Sequence, residues 1–166
     1  MSSEHDSSLG GLTHLDASGR VRMVDVSRKA PTFRRAVASA LVNVGQQVYS
    51  LLSGPGLPKG DVLAVAKIAG IQAAKRTSEL IPLCHGLAPE FVDVQISLRP
   101  PHDVLILAEA RVESKTGVEI DALMAASIAA ITVYDMCKSV SKEITIGPIQ
   151  LEEKSGGKSG EWRRTD

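Results

Sequence analysis

The chain has 166 residues, enough for one domain with its own core. Its composition is 43% hydrophobic but only 3% aromatic, so that core is built from Ala, Val, Ile and Leu. Lys+Arg and Asp+Glu number 19 each, and this zero net charge excludes a general nucleic-acid binder while leaving room for a local basic pocket. The opening "MSSEHDSSLG" is polar, with neither a basic segment nor an apolar one behind it. It reads as a disordered tail over residues 1–11 rather than a signal peptide, and a cytoplasmic protein is expected. No apolar run is read as a membrane span.

"RVRMVDVS" (20–27) alternates in character and predicts a strand. Pro31 then suits the first turn of a helix, and Val37, Leu41, Val44, Val48 and Leu51 recur at three- and four-residue steps. "SGPGLPKG" (53–60) stops that helix with Pro and Gly. A second helix is expected from about residue 61 to 79, crowded with Ala64, Ala66, Ala69, Gly70, Ala73 and Ala74. Glycine inside a helix costs about 1 kcal/mol relative to Ala. Close packing of this helix is therefore expected, with another subunit as one candidate neighbour. "FVDVQISL" (91–98) and "DVLILAEARVE" (103–113) form a hairpin through "RPPHD". A long helix follows over 116–140, with Thr116 and Glu119 at capping-box spacing. "KEITIGPIQLEE" (142–153) reads as a strand bent at Gly147–Pro148.

The order is β-α-α-β-β-α-β. Without one helix it is β-α-β-β-α-β, so the fold class is α+β, a ferredoxin-like sheet backed by helices with one extra helix. Residues 12–153 form the single domain, and 154–166 a flexible Gly/Lys-rich segment. Three helices carry more small and aliphatic surface than one small sheet can cover, which points to an oligomer.

Candidate chemistry begins on the long helix. Ile120, Met124, Ile128 and Ile131 set an apolar stripe, and Asp135 and Lys138 fall on its line. A charged pair there is expected to be partly desolvated or to face a cleft, as a structural ion pair or an acid–base pair. His85 sits in a loop, "IPLCHGL", before a strand. Cys84 has no base at a motif spacing, and the two cysteines form no C-x-x-C. His14, His85 and His102 are scattered, so no metal site is read. Lys59, Lys75 and Arg76 lie at helix ends, where Lys75 and Arg76 suit the helix dipole. "KSGGKSGEW" (154–162) is not a P-loop, because Glu152 stands where the first glycine belongs and only "EWRRTD" follows. It reads as a mobile flap that carries Lys154 and Lys158 over an anionic ligand, or as a dispensable tail.

Five stretches, "MVDVS" (23–27), "KGDVLAVAKIAGIQAAKRTSELIPLCHGL" (59–87), "KTGVEIDAL" (115–123), "YDMCKSV" (134–140) and "KSGGKSG" (154–160), together resemble the molybdenum cofactor biosynthesis protein C family. The resemblance covers the chain from about Leu12 onward. It implies a lyase that converts 3′,8-cyclo-7,8-dihydro-GTP into cyclic pyranopterin monophosphate with release of diphosphate. That enzyme acts after a radical enzyme that cyclises GTP. It further implies a homohexamer, a trimer of dimers, with active sites at the dimer interface.

Carried over by motif, Asp135 is the acid–base residue, Lys138 its partner and Lys59 the other essential lysine. Leu83, Cys84, His85, Ile120 and Asp121 contact substrate, Glu119 the base or sugar, and Lys75 and Arg76 the anion. No resident cofactor is implied, and Mg2+ with the triphosphate is left open. Two positions depart from the family pattern: Gly86 stands where Pro is common, and Asp121 where Glu is common. The competing reading is a ferredoxin-like regulatory module that holds a nucleotide without transforming it.

Overall fold

The computed structural model describes residues 14–15, 18–54 and 60–165. The run "AVASALVNV" decides the architecture. Ala36, Ala38, Ala40, Val42 and Val44 recur at every second position, and all are buried. Strand β1 (Thr32–Asn43) therefore stands where a helix was expected. The helical recurrence of Val37, Leu41 and Val44 coexists with this alternation, and the alanines by themselves favour helix. Pairing on both edges of β1 outweighs that preference. The expected helix survives as α1 (Gly45–Leu52). The strand expected over 20–27 does not form. Val21 makes one isolated bridge with Leu15, and Val21 and Met23 are exposed, so the alternation there has no core to cover.

The next expected helix is divided into α2 (Val62–Ala74) and α3 (Thr77–Leu80). Asp61 starts α2 by accepting from the Ala64 N–H at 3.0 Å. At the far end Thr77 Oγ1 donates to the Ala74 carbonyl at 2.9 Å, and Lys75 and Arg76 form the break. The hairpin β2 (Phe91–Arg99) and β3 (Asp103–Ser114) forms as expected. It leads to α4 (Glu119–Cys137), β4 (Thr145–Ser155) and the short β5 (Trp162–Arg163).

The sheet is antiparallel throughout, in the order β2-β3-β1-β4-β5. Setting β5 aside, β1, the helices α1 to α3, β2, β3, α4 and β4 give the expected ferredoxin-like order. Its opening strand is β1 rather than the 20–27 segment. One face of the sheet, with Ala108, Ala110, Ile106 and Val94, packs against α2 and α4.

The small residues of α2 serve contacts within the chain. A Cβ added to Gly70 would lie 2.8 Å from the Ala125 carbonyl oxygen and 3.2 Å from Ala129 Cβ, both on α4. The close packing expected of α2 is thus with α4 rather than with a second subunit. By length and composition α4 is apolar enough to cross a membrane, contrary to the sequence reading. Its burial against the sheet and α2 accounts for that character.

Two local expectations are also corrected. Thr116 and Glu119 form no capping box: Val118 is the N-cap of α4 and makes no side-chain cap bond. The segment "KSGGKSGEW", expected to be flexible, begins inside β4 and returns as β5. Lys154 pairs with Trp162 and Glu153 with Arg163, so the stretch is a β-hairpin. Gly156, Gly157 and Gly160 take positive φ in its turn, which is why glycines occupy it. The expected bend of β4 is present, with a register shift across Gly147–Pro148. Residues 1–11, expected to be a disordered tail, lie outside the described residues.

Candidate active site

The first turn of α4 meets the end of β4. Lys154 pairs with Ala36 of β1, whose side chain lies on the helix-covered face, so Lys154 points toward α4. Its Nζ lies 3.0 Å from Glu119 Oε1. Around this pair is a cavity of about 690 Å3. Six cations line it: Arg28, Lys29, Arg34, Lys115, Lys154 and Lys158. Glu119 is the one carboxylate among the lining residues. Such a wall suits a polyanion, and charge-assisted bonds to phosphate are among the stronger polar contacts.

Sequence reasoning found Lys154, Lys158 and Glu119 but missed Arg28, Lys29, Arg34 and Lys115. The signal was present. Arg28 and Lys29 directly follow "MVDVS", and Lys115 opens "KTGVEIDAL". No spacing in the sequence links these four residues; the fold brings their segments together at the cavity. Lys115 Nζ donates to the Ser27 carbonyl at 2.9 Å, fixing the 21–29 segment against the turn before α4.

The same segment reaches the "LCH" loop, where His85 Nε2 lies 2.9 Å from the Val24 carbonyl oxygen. Burial pushes the Cys84 thiol above its ordinary value, and the charges of Asp121 and Glu119 push it further. Cys84, Asp121 and Glu119 therefore share one electrostatic neighbourhood, although Leu83, Cys84 and His85 do not line the cavity.

Asp121 is 1% exposed, beneath the first turn of α4. Burial raises its pKa from 3.8 to about 6, with a smaller push from Glu119, against hydrogen bonding to Thr77 and to its own backbone. Its Oδ2 has no hydrogen-bond partner among the described residues. In a single chain it is buried, so the substrate contact that the resemblance implies for it requires an opening at the first turn of α4. Ile120 beside it points outward and is exposed. Lys75 and Arg76 lie exposed at the α2–α3 break, next to Thr77.

Asp135 and Lys138 stand at the other end of α4. Lys138 Nζ donates to Asp135 Oδ1 at 2.6 Å, and this bond raises the lysine pKa. Sixteen residues separate Glu119 from Asp135, about 24 Å along a helix. The two groups do not meet in one chain. The predicted alignment with Ile131 holds, but that line faces outward: Ile131 is 51% exposed, and the Lys138 and Asp135 side chains are 50% and 62% exposed. The buried face of α4 is instead the alanine line Ala122, Ala125, Ala126, Ala129 and Ala130. Lys59 lies outside the described residues.

Comparison with known proteins adds two findings. The model of the MoaC family matches residues 23–157. The cyclic pyranopterin monophosphate synthase of Bordetella avium (strain 197N) is 54% identical over 157 residues, which are 94% of this chain and 97% of that protein.

Proposed function

The chain belongs to the MoaC family, and from that footing we propose that it is a cyclic pyranopterin monophosphate synthase of molybdenum cofactor biosynthesis. Its substrate is 3′,8-cyclo-7,8-dihydro-GTP, and it acts as a phosphorus–oxygen lyase that releases diphosphate. The observation that carries this reading is the cavity of six cations around Glu119, at the end of α4.

The reaction opens and recloses a ring with several proton transfers, then joins a ribose oxygen to the α-phosphate as diphosphate leaves. The cations hold the phosphate chain and balance the charge that develops on the leaving group. Asp135 acts as the acid–base residue, with Lys138 and Lys59 as its partner lysines, and His85 serves a further proton transfer. Glu119 binds the base or sugar, and Lys75, Arg76, Leu83, Cys84, Ile120 and Asp121 complete the contacts. No resident metal enters the proposal; Mg2+ would arrive with the triphosphate.

One chain separates Asp135 and Lys138 from the cavity by most of the length of α4. Two copies related by a twofold axis bring the C-terminal end of one α4 to the cavity of the other. The outward apolar side chains Val65, Ile68, Ile120 and Ile131 support such contacts. The assembly proposed is a homohexamer of three dimers, cytoplasmic, receiving its substrate from a radical GTP cyclase.

End-point product analysis tests the activity. Wild-type protein should convert the cyclised GTP to a pterin-forming product and release diphosphate, and Lys138→Ala should not. Substrate recovered unchanged after long incubation with wild type would favour a nucleotide-holding module instead.

A further inference from the structure

The loop after β4 crosses the end of β1 more closely than side chains permit. A Cβ at Gly156 would collide with the Phe33 carbonyl oxygen, and one at Gly157 with Nη1 of Arg34. Both glycines also hold positive φ, 101° and 72°. Arg34 itself reaches the other way. Its Nε donates to the Ser114 carbonyl at 3.3 Å and its Nη2 to the Lys115 carbonyl at 3.4 Å. One guanidinium thus touches the turn that carries Lys115 and the glycine pair that separates Lys154 from Lys158. A planar fork fixes several partners at once, which a rotating ammonium does not.

We propose that Arg34 is a positioning residue: with Gly156–Gly157 it forms a strut that sets the spacing of Lys115 from Lys154 and Lys158 across the cavity. The C-terminal hairpin is then a built wall of the anion site rather than a flap that closes on substrate. Cations held in place before the ligand arrives bind it without the cost of ordering a loop. The proposal rests on the function above only in taking the phosphate chain of the substrate as the cavity's ligand.

The test uses the full chain in its assembled form, with Arg34→Lys and Gly157→Ala. Arg34→Lys keeps the charge and loses the fork, while Gly157→Ala keeps Arg34 and denies it the contact. Hydrogen exchange should quicken at residues 156–160 by about tenfold or more in both variants, with the α4 amides unchanged. Inorganic diphosphate should bind about tenfold more weakly by calorimetry, a loss carried by spacing and not by charge count. The KM for cyclised GTP should rise more than kcat falls. Unchanged exchange at 156–160 in both variants overturns the strut. Faster exchange with undiminished diphosphate binding overturns it equally, because the spacing would then not matter. If one variant loses α4 protection as well, the other decides. Absence of product from wild type would defeat the proposed activity and leave the strut to be judged by exchange and diphosphate binding.

Discussion

Lys154 and Glu119 tie the last long strand to the first turn of α4, with Nζ and Oε1 3.0 Å apart. Both side chains are partly exposed, so the pair contributes less than about 1 kcal/mol to stability. Its larger effect is on the cavity, where Glu119 is the one negative charge facing six positive ones. Glu119→Gln should therefore tighten binding of inorganic diphosphate by about fivefold, the effect of about 1 kcal/mol of removed repulsion. Calorimetric titration checks this, and binding that is weaker than wild type would show that Glu119 orders the site more than it repels the ligand.

Gly70 offers a test of packing against propensity. Alanine is the better helix former by about 1 kcal/mol. The new methyl would stand 2.8 Å from the backbone oxygen of Ala125, which cannot swing aside as a side chain can. Overpacking of this kind costs about 1–3 kcal/mol. Gly70→Ala should lower stability by about 1 kcal/mol or more in urea unfolding, and a more stable variant would mean that α2 and α4 separate readily.

These two sites also mark what the sequence could say. The hairpin of β2 and β3, the long helix α4 and the bend of β4 were legible because each pattern is local and unmixed. The stretch from residue 32 to 52 was not, because Val37, Leu41 and Val44 suit a helix while Ala36, Ala38, Ala40 and Val42 suit a strand. Only long-range pairing with β3 and β4 settles it. For the site, motif resemblance singled out Glu119, and the Gly/Lys-rich character of 154–162 singled out Lys154 and Lys158. Both passed over Arg34, whose importance lies in contacts to residues far along the chain, from Ser114 to Gly157. The Asp135–Lys138 pair was legible as a pair, but not the outward direction of its helix line, which burial of the alanine line of α4 decides.

Asp121 should make stability depend on pH. Its folded pKa, about 6, lies above the ordinary 3.8, chiefly through burial. Between those values the folded chain holds a proton that the unfolded chain has lost. Stability therefore falls as pH rises through that window, and the full loss is about 3 kcal/mol once both forms are ionised. Asp121→Asn removes this pH dependence. Unfolding in denaturant at fixed protein concentration should show wild type losing stability relative to the variant between pH 4 and pH 7. Parallel curves would mean that the carboxylate is solvated in the assembled protein.

Gly86 follows His85, where the family resemblance leads to an expectation of Pro. The structure does not require a glycine there: its φ is not positive, and an added Cβ would meet Ser78 Oγ at an ordinary 3.5 Å. His85 is held by the Val24 carbonyl instead of by loop stiffness. Gly86→Ala should thus stabilise the protein by about 0.4–1 kcal/mol through the unfolded chain. It should leave the pH dependence of turnover, which reports the titrating groups, in place. A lost or displaced pH profile would show that the backbone freedom of Gly86 sets the pose of His85.

The distance along α4 makes the shared site directly testable. If Asp135 and Lys138 of one chain serve the cavity of another, each dimer holds two sites, and each site draws on both chains. Lys138→Ala and Glu119→Ala should each abolish turnover alone. When the two inactive proteins are unfolded together and refolded, half of the dimers are mixed, and one site in each mixed dimer escapes both substitutions. About a quarter of wild-type activity should return by random pairing. Product from the co-refolded sample, with none from either variant refolded separately, would establish sites built by two chains. No recovery, with mixed dimers confirmed by mass, would place the whole reaction within one chain and require α4 to bring its two ends together by some other route.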